Sequence, residues 1–258
     1  MSNQMTIDKL NTMKLYGMAL AFQEQLESPR FNELSFEDRF GMIIDKEMTA
    51  RENRRLKTLL KKSKLRNSAA CLEEINFRVH RGLVREQVVT LARCEWVERK
   101  HNIIITGPTG VGKTYLACAF GNSACRFGIS TYYVRLPTLL KQLSIATNDG
   151  SYGKLITKFA RIRVLIVDDW GFDRLTDQQR VSYLDIIEDR HNITSTILCS
   201  QLPIVKWHEC IGDPTIADAI CDRLIHNAHK IKLNGESMRK IYSSLPDEDK
   251  GIKDENKP

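Results

Sequence analysis

Eight consecutive residues, Gly107-Pro108-Thr109-Gly110-Val111-Gly112-Lys113-Thr114, match the spacing G-x-x-x-x-G-K-[ST] at every fixed position. Those residue types at that spacing suit one ligand chemistry, a chain of phosphates. Glycines let the backbone curl so that successive N–H groups point inward. A helix starting there adds the positive end of its dipole, and the Lys113 ammonium can reach the β- and γ-phosphates of a nucleoside triphosphate. Thr114 supplies a hydroxyl for Mg2+. Further along, the apolar run Val164-Leu165-Ile166-Val167 ends in Asp168 and Asp169. Mg2+ needs a carboxylate opposite the threonine, a role that suits Asp168, and Asp169 is placed to orient or activate an attacking water.

To present these groups the chain must put the glycine-rich loop between a strand and a helix. His101 to Thr106 is a short apolar run that predicts a buried strand, and Tyr115 to Phe120 reads as the start of a helix. Ser130 to Val134 is rich in β-formers, and Pro137 stands where a helix running through Leu139, Leu140 and Leu143 would begin. A further helix leads to the Val164 strand, and another is expected from Gln178 to Arg190. Thr194 to Ser200 is the fourth core strand, cut off by Pro203. Strands alternating with helices predict an α/β fold, a parallel sheet flanked by helices, with strands buried on both faces.

The first part of the chain reads as all-helical. Ile7, Leu10, Met13, Met18, Phe22 and Leu26 recur at helical intervals and predict one amphipathic helix from Thr6 to Leu26, stopped by Ser28-Pro29. A second helix is expected after a Ser35 cap, with Phe36, Phe40, Ile44 and Met48 on one side and Glu37 and Asp38 suiting the dipole. It continues into a run holding Arg51, Arg54, Arg55, Lys57, Lys61, Lys62, Lys64 and Arg66 against Glu52 alone. Leu56, Leu59 and Leu60 keep one face apolar. Cations this dense repel one another unless an anion is present, so Arg51, Arg54, Arg55, Lys57, Lys61, Lys62 and Lys64 are candidate DNA contacts. The expected division is a helical domain over 1–66, a linker over 67–101 with helical character from Arg85 to Trp96, the α/β domain over 102–244 and a disordered tail over 245–258.

Composition narrows the partners. The 258 residues are 42% hydrophobic and 28% charged, those of a soluble globular protein, with a formal net charge of +7. A basic balance without a membrane anchor makes nucleic acid the leading polyanionic partner. No apolar run approaches the roughly 20 residues of a membrane span, and the N-terminus lacks a signal-peptide layout, so the expected location is the cytoplasm without membrane contact. Seven cysteines form an odd count with no C-x-x-C and read as buried thiols. His226 and His229 lack metal-ligand spacing.

At this point the residues carry a family resemblance. The block His101 to Lys240 resembles the AAA+ ATPases of the helicase-loader and initiator clade, and residues 6–244 as a whole resemble the IstB family, ATPase helpers of bacterial insertion-sequence transposition. The matches are Gly17-Met18, Arg51-Glu52-Asn53-Arg54-Arg55-Leu56, Glu95-Trp96-Val97-Glu98-Arg99, Leu165-Ile166-Val167-Asp168-Asp169-Trp170-Gly171 and Asp222-Arg223-Leu224. The resemblance implies a P-loop AAA+ core behind a small helical domain, with ATP and Mg2+ as cofactors. It further implies an ATP-dependent homo-oligomer on duplex DNA with little sequence specificity, and a transposase as partner. A helicase loader acting on a helicase and single-stranded DNA is the rival reading. Carried over residue by residue, Gln201 stands where the family keeps a polar sensor, often Asn. Arg223 stands at the finger that enters a neighbouring subunit's site, and Arg239 at the second sensor. With Lys113 and Asp169 these complete the implied catalytic set. The Asp-Asp ending departs from the usual Asp-Glu, which implies slow turnover.

Overall fold

The computed structural model describes residues 2–241, and the chain divides into two compact units at Lys62/Ser63. The tail expected over 245–258 lies outside the described residues.

The first unit holds α1 (Asn3–Thr12), α2 (Tyr16–Glu27), a turn of 3-10 helix (Pro29–Phe31) and most of α3 (Phe36–Ser63). The single helix expected from Thr6 to Leu26 is therefore two. Lys14 takes a left-handed φ of 61°, Lys14 N donates to Asn11 O and Leu15 N to Leu10 O, the pattern of a Schellman stop. A lysine occupies the position where glycine would normally announce the turn. The Ser35 cap of α3 forms as expected, with Asp38 N donating to Ser35 Oγ at 3.1 Å.

Gly17 lets α2 cross α3 closely, since a Cβ there would lie 2.7 Å from Glu47 Cα and Lys46 O. At that crossing Glu47, only 5% exposed, accepts from Gly17 N at 2.7 Å and Met18 N at 3.2 Å, groups of the first turn of α2 that no intrahelical carbonyl can satisfy. The same carboxylate accepts from Arg51 Nε at 2.7 Å and Arg54 Nη2 at 3.1 Å. The basic run thus has an acid beyond Glu52, one turn before it begins.

The second unit is a five-stranded, all-parallel sheet in the order β2-β3-β4-β1-β5. Its strands are β1 (Asn102–Thr106), β2 (Thr131–Arg135), β3 (Val164–Trp170), β4 (Ser195–Ser200) and β5 (Ala228–Lys232). β1, β3 and β4 are almost wholly buried, as strands covered on both faces must be. β5 was not foreseen from the sequence. Ala-His-Lys-Ile-Lys lacks the apolar run of its neighbours because it is an edge strand with only Ile231 buried.

The helices of this unit are α4 (Arg85–Ala92), α5 (Glu95–Glu98), α6 (Lys113–Arg126), α7 (Leu136–Asn148), α8 (Tyr152–Arg161), α9 (Asp177–Arg190), α10 (Trp207–Ile211), α11 (Pro214–Ile225) and α12 (Met238–Ile241). The larger core packs α7, α8, α9 and α11 on one side of the sheet, where Trp170 stacks on Tyr183 at 4.8 Å and meets Trp207 edge-on at 5.4 Å. Six of the seven cysteines are buried thiols and Cys71 is half-buried.

Residues 67–101, expected as a linker, are built into this unit. Ala70, Ile75, Val88, Leu91 and Trp96 are all buried, and Asn122 Nδ2 of α6 donates to Ser68 O at 3.2 Å. Ser63 and Leu65 are also buried, Leu65 lying where a Cβ on Gly121 would sit 2.9 Å from its Cδ2. Polar composition concealed this packing because its apolar residues are spaced irregularly.

Candidate nucleotide-binding site

Parallel topology brings the carboxyl ends of β1, β3 and β4 to one edge of the sheet, and the sequence motifs sit there. The loop after β1 wraps into α6, whose first residue is Lys113 and whose cap, Gly112, has a left-handed φ of 100°. A Cβ on Gly107, φ 152°, would fall 2.3 Å from Leu233 O, so only glycine lets the loop pass beneath the segment after β5. Lys113 Nζ donates to Gly107 O and Pro108 O, both at 2.7 Å. An ammonium has three protons, which leaves one donor for a ligand. Burial draws the Lys113 pKa below its ordinary value, partly opposed by Cys199, Asp168 and Asp169.

Asp168, 1% exposed, accepts from Thr114 Oγ1 at 2.7 Å and Tyr133 Oη at 2.8 Å on one carboxylate oxygen, and from Asp169 N at 2.9 Å on the other. Burial, and then the adjacent Asp168 carboxylate, push the Tyr133 hydroxyl far above the usual phenol range. Strand alternation would send two consecutive carboxylates to opposite faces. A register shift between Val167 and Trp170, with Asp169 at a left-handed φ of 58°, re-aims the second one. Asp169 is then held by an ion pair to Arg135 Nε at the end of β2.

Gln201, just past β4, accepts from Thr109 Oγ1 of the loop at 2.8 Å. Arg239 lines a cavity of about 690 Å3 together with Gly110, Gly112, Lys113, Thr114, Arg66 and Arg81. That volume is in the range of small-molecule sites. Arg81, 7% exposed, donates to Val111 O at 3.1 Å. The structure thus gathers Lys113, Thr114, Asp168, Asp169, Gln201 and Arg239 around one loop. Arg223 is not among them. Asn102 Nδ2, at the first residue of β1, donates to Arg223 O at 3.3 Å, which places Arg223 at the amino edge of the sheet, a strand's length from its own loop. Its guanidinium donates to Glu188 Oε1 and Ala219 O, both at 2.8 Å.

Arg51, Arg54, Arg55, Lys57, Lys61 and Lys62 are exposed on α3. Arg51 and Arg54 share Glu47, and Arg54 also lies over the Tyr16 ring at 5.3 Å. Lys64 falls beyond the helix end with φ 50°, its ammonium 5.9 Å from the Tyr132 ring centroid. Arg66, counted with the basic run, belongs instead to the cavity wall. Sequence reasoning missed Tyr133, Arg135 and Arg81. The first two are separated by one residue on β2 and so share a face, but nothing in the sequence says that β2 neighbours β3.

The donor set suits a magnesium–nucleotide complex. Arg66, Arg81, Lys113 and Arg239 are cations for phosphates, and a hydroxyl paired with a carboxylate suits a hard divalent ion. Among the described residues no group of three or more His, Cys, Asp or Glu side chains could by itself hold a metal, and no helix is long and apolar enough to cross a membrane.

Comparisons with known proteins agree with this geometry. A family profile described as IstB-like ATP binding protein matches residues 8–245. An insertion-sequence ATP-binding protein of Sinorhizobium fredii is 45% identical over 235 residues, 91% of this chain and 96% of the relative. The ATP-binding protein of insertion sequence IS1162 from Pseudomonas fluorescens is 45% identical over 79% of this chain and 88% of its own length. The one of IS21 from Pseudomonas aeruginosa is 30% identical over 89% and 86%. Among solved structures, DnaI aligns with TM-score 0.55 and 20% identity over 66% of this chain and 90% of its own. The DnaC helicase loader aligns with TM-score 0.51 and 23% identity over 64% and 96%. These two likenesses establish the P-loop AAA+ fold.

Proposed function

The chain belongs to the IstB-like ATP-binding protein family, and from that premise we propose that it is an ATPase that assembles with ATP on duplex DNA and recruits and regulates a transposase. The observation that carries the ATPase part is the bond from Thr114 Oγ1 to the buried Asp168 carboxylate beneath an intact phosphate loop. Thr114 and Asp168 would hold Mg2+, which would supply positive charge to offset that of the phosphates. Lys113, Arg81 and Arg239 add fixed cations on the cavity wall. Asp169 orients water, and Arg135 sets where its carboxylate points. Gln201 fixes the loop through Thr109 and offers an amide beside it.

The DNA part rests on the cations of α3 and on the names of the relatives, which are proteins of insertion sequences. The likeness to a helicase loader is one of fold and covers 64% of the chain, whereas the insertion-sequence relatives match nearly all of it. Each cation that neutralises a duplex phosphate releases a counterion, so log affinity should fall with log salt by about 0.9 per contact. Phosphate contacts carry no base information, so binding should tolerate almost any sequence. ATP should be required, since assembly multiplies a basic surface too short in one protomer. The double reversal Arg54→Glu/Arg55→Glu should weaken duplex binding and flatten the slope by roughly one unit per lost contact, with ATP binding intact. Fluorescence anisotropy over a salt series, with duplex and single-stranded probes and with and without ATP, reads all of this. A preference for single strands would put the helicase-loader reading ahead, and an unchanged slope would remove α3 from the DNA surface.

A further inference from the structure

We propose that Tyr133 is the positioning residue of the magnesium carboxylate, holding Asp168 by a hydroxyl bond from the neighbouring strand. The inference rests on the reading of this cavity as a magnesium–nucleotide site.

Asp168 is almost wholly buried and has three donors in the chain itself. Two of them belong to the expected chemistry, Thr114 as the hydroxyl that shares the ion and Asp169 as the next residue of the same strand. The third, Tyr133 Oη, comes from β2 and has no place in a phosphate loop or an acidic strand end. It binds the same carboxylate oxygen as Thr114, so removing it leaves that oxygen on a single hydroxyl and frees the carboxylate to rotate. Groups that hydrogen-bond a metal ligand orient it, and their loss typically costs about 10- to 100-fold in metal affinity.

The test is the ratio of nucleotide Kd in EDTA to Kd at one fixed, sub-saturating Mg2+ concentration, measured on the full chain with a fluorescent ATP analogue. Tyr133→Phe removes one oxygen and should leave the EDTA affinity within about twofold while lowering the ratio about tenfold. A Tyr133→Phe protein that melts with wild type and keeps the wild-type ratio overturns the proposal. If Tyr133→Phe fails to fold, Tyr133→Met, which also removes the hydroxyl, decides by the same ratio. Failure of the wild-type chain to bind nucleotide in either condition would instead overturn the reading of the site itself.

Discussion

The two edges of the sheet make their polar groups answer different questions. At the carboxyl edge, Lys113, Thr114, Asp168, Asp169 and Gln201 are joined to one another or to their own loop by bonds of ordinary length. At the amino edge two arginines part company. Arg190 is buried, and its donors reach Thr196 Oγ1 and the carbonyls of Phe159, Ile162 and Ser195, tying α8 and α9 to the start of β4. Arg223, with 27% of its side chain exposed, is held by a surface glutamate that is itself half exposed. A surface ion pair of that kind is worth little and is readily exchanged. One edge can build a site from its own residues, and the other offers a cation that a second copy could use.

The largest effect tests that contrast directly. An arginine supplied in trans typically accelerates phosphoryl transfer by about 10³-fold or more. Arg223→Ala should bind ATP normally and lose hydrolysis on that scale, whereas Lys113→Ala should lose ATP binding itself. Mixing the two variants should restore activity, since one interface then pairs an intact loop with an intact finger. Phosphate-release assays across mixing ratios, on mixtures shown to co-assemble, read the outcome. Absence of recovery would mean that the edges do not complement each other, and the comparison would have to be redrawn within one protomer.

A smaller effect sharpens the account of the carboxyl edge. Asp169→Asn keeps the shape and removes the charge that would orient water, so ATP should bind and be hydrolysed at least ~10-fold more slowly. Equal rates would remove Asp169 from the chemistry and leave its pair with Arg135 as purely structural.

What the sequence made legible follows the same division between local and distant causes. The phosphate loop, Asp168 and the alternation of strands and helices are local patterns, and the structure assembles them at one sheet edge as expected. Tyr133, Arg135, Arg66 and Arg81 are site residues because of strand order and of packing by the stretch 63–101, and neither leaves a periodic trace. Lys14 conceals a helix stop by standing where glycine is usual, and β5 conceals a strand by being a polar edge. The family resemblance supplied Arg223, whose position on α11 has no meaning until the two edges of the sheet are told apart.

The smallest effect lies at the amino edge, where Nδ1 of His101, the residue before β1, meets His229 Nε2 of the neighbouring β5 at 3.2 Å. Burial, then His101 and Arg99, hold the His229 pKa below its ordinary value. A histidine so lowered takes its proton more readily in the unfolded chain, so the folded state binds fewer protons just below the unfolded pKa of about 6.5. Stability is therefore fully present above that pH, is lost as pH falls from there to the folded pKa, and then levels off. His229 is half-buried, so the loss should be a small fall in Tm. Thermal melts at about pH 7.5 and 5.5 should show the fall in wild type and a flatter response in His101→Gln, which removes the neighbouring imidazole and leaves burial in place. ATP binding at pH 7.5 should be the same in both, because this pair lies a strand's length from Lys113. A variant that lost nucleotide affinity along with its pH response would show that the two edges are coupled through β1, and that the division between them is one of chemistry alone.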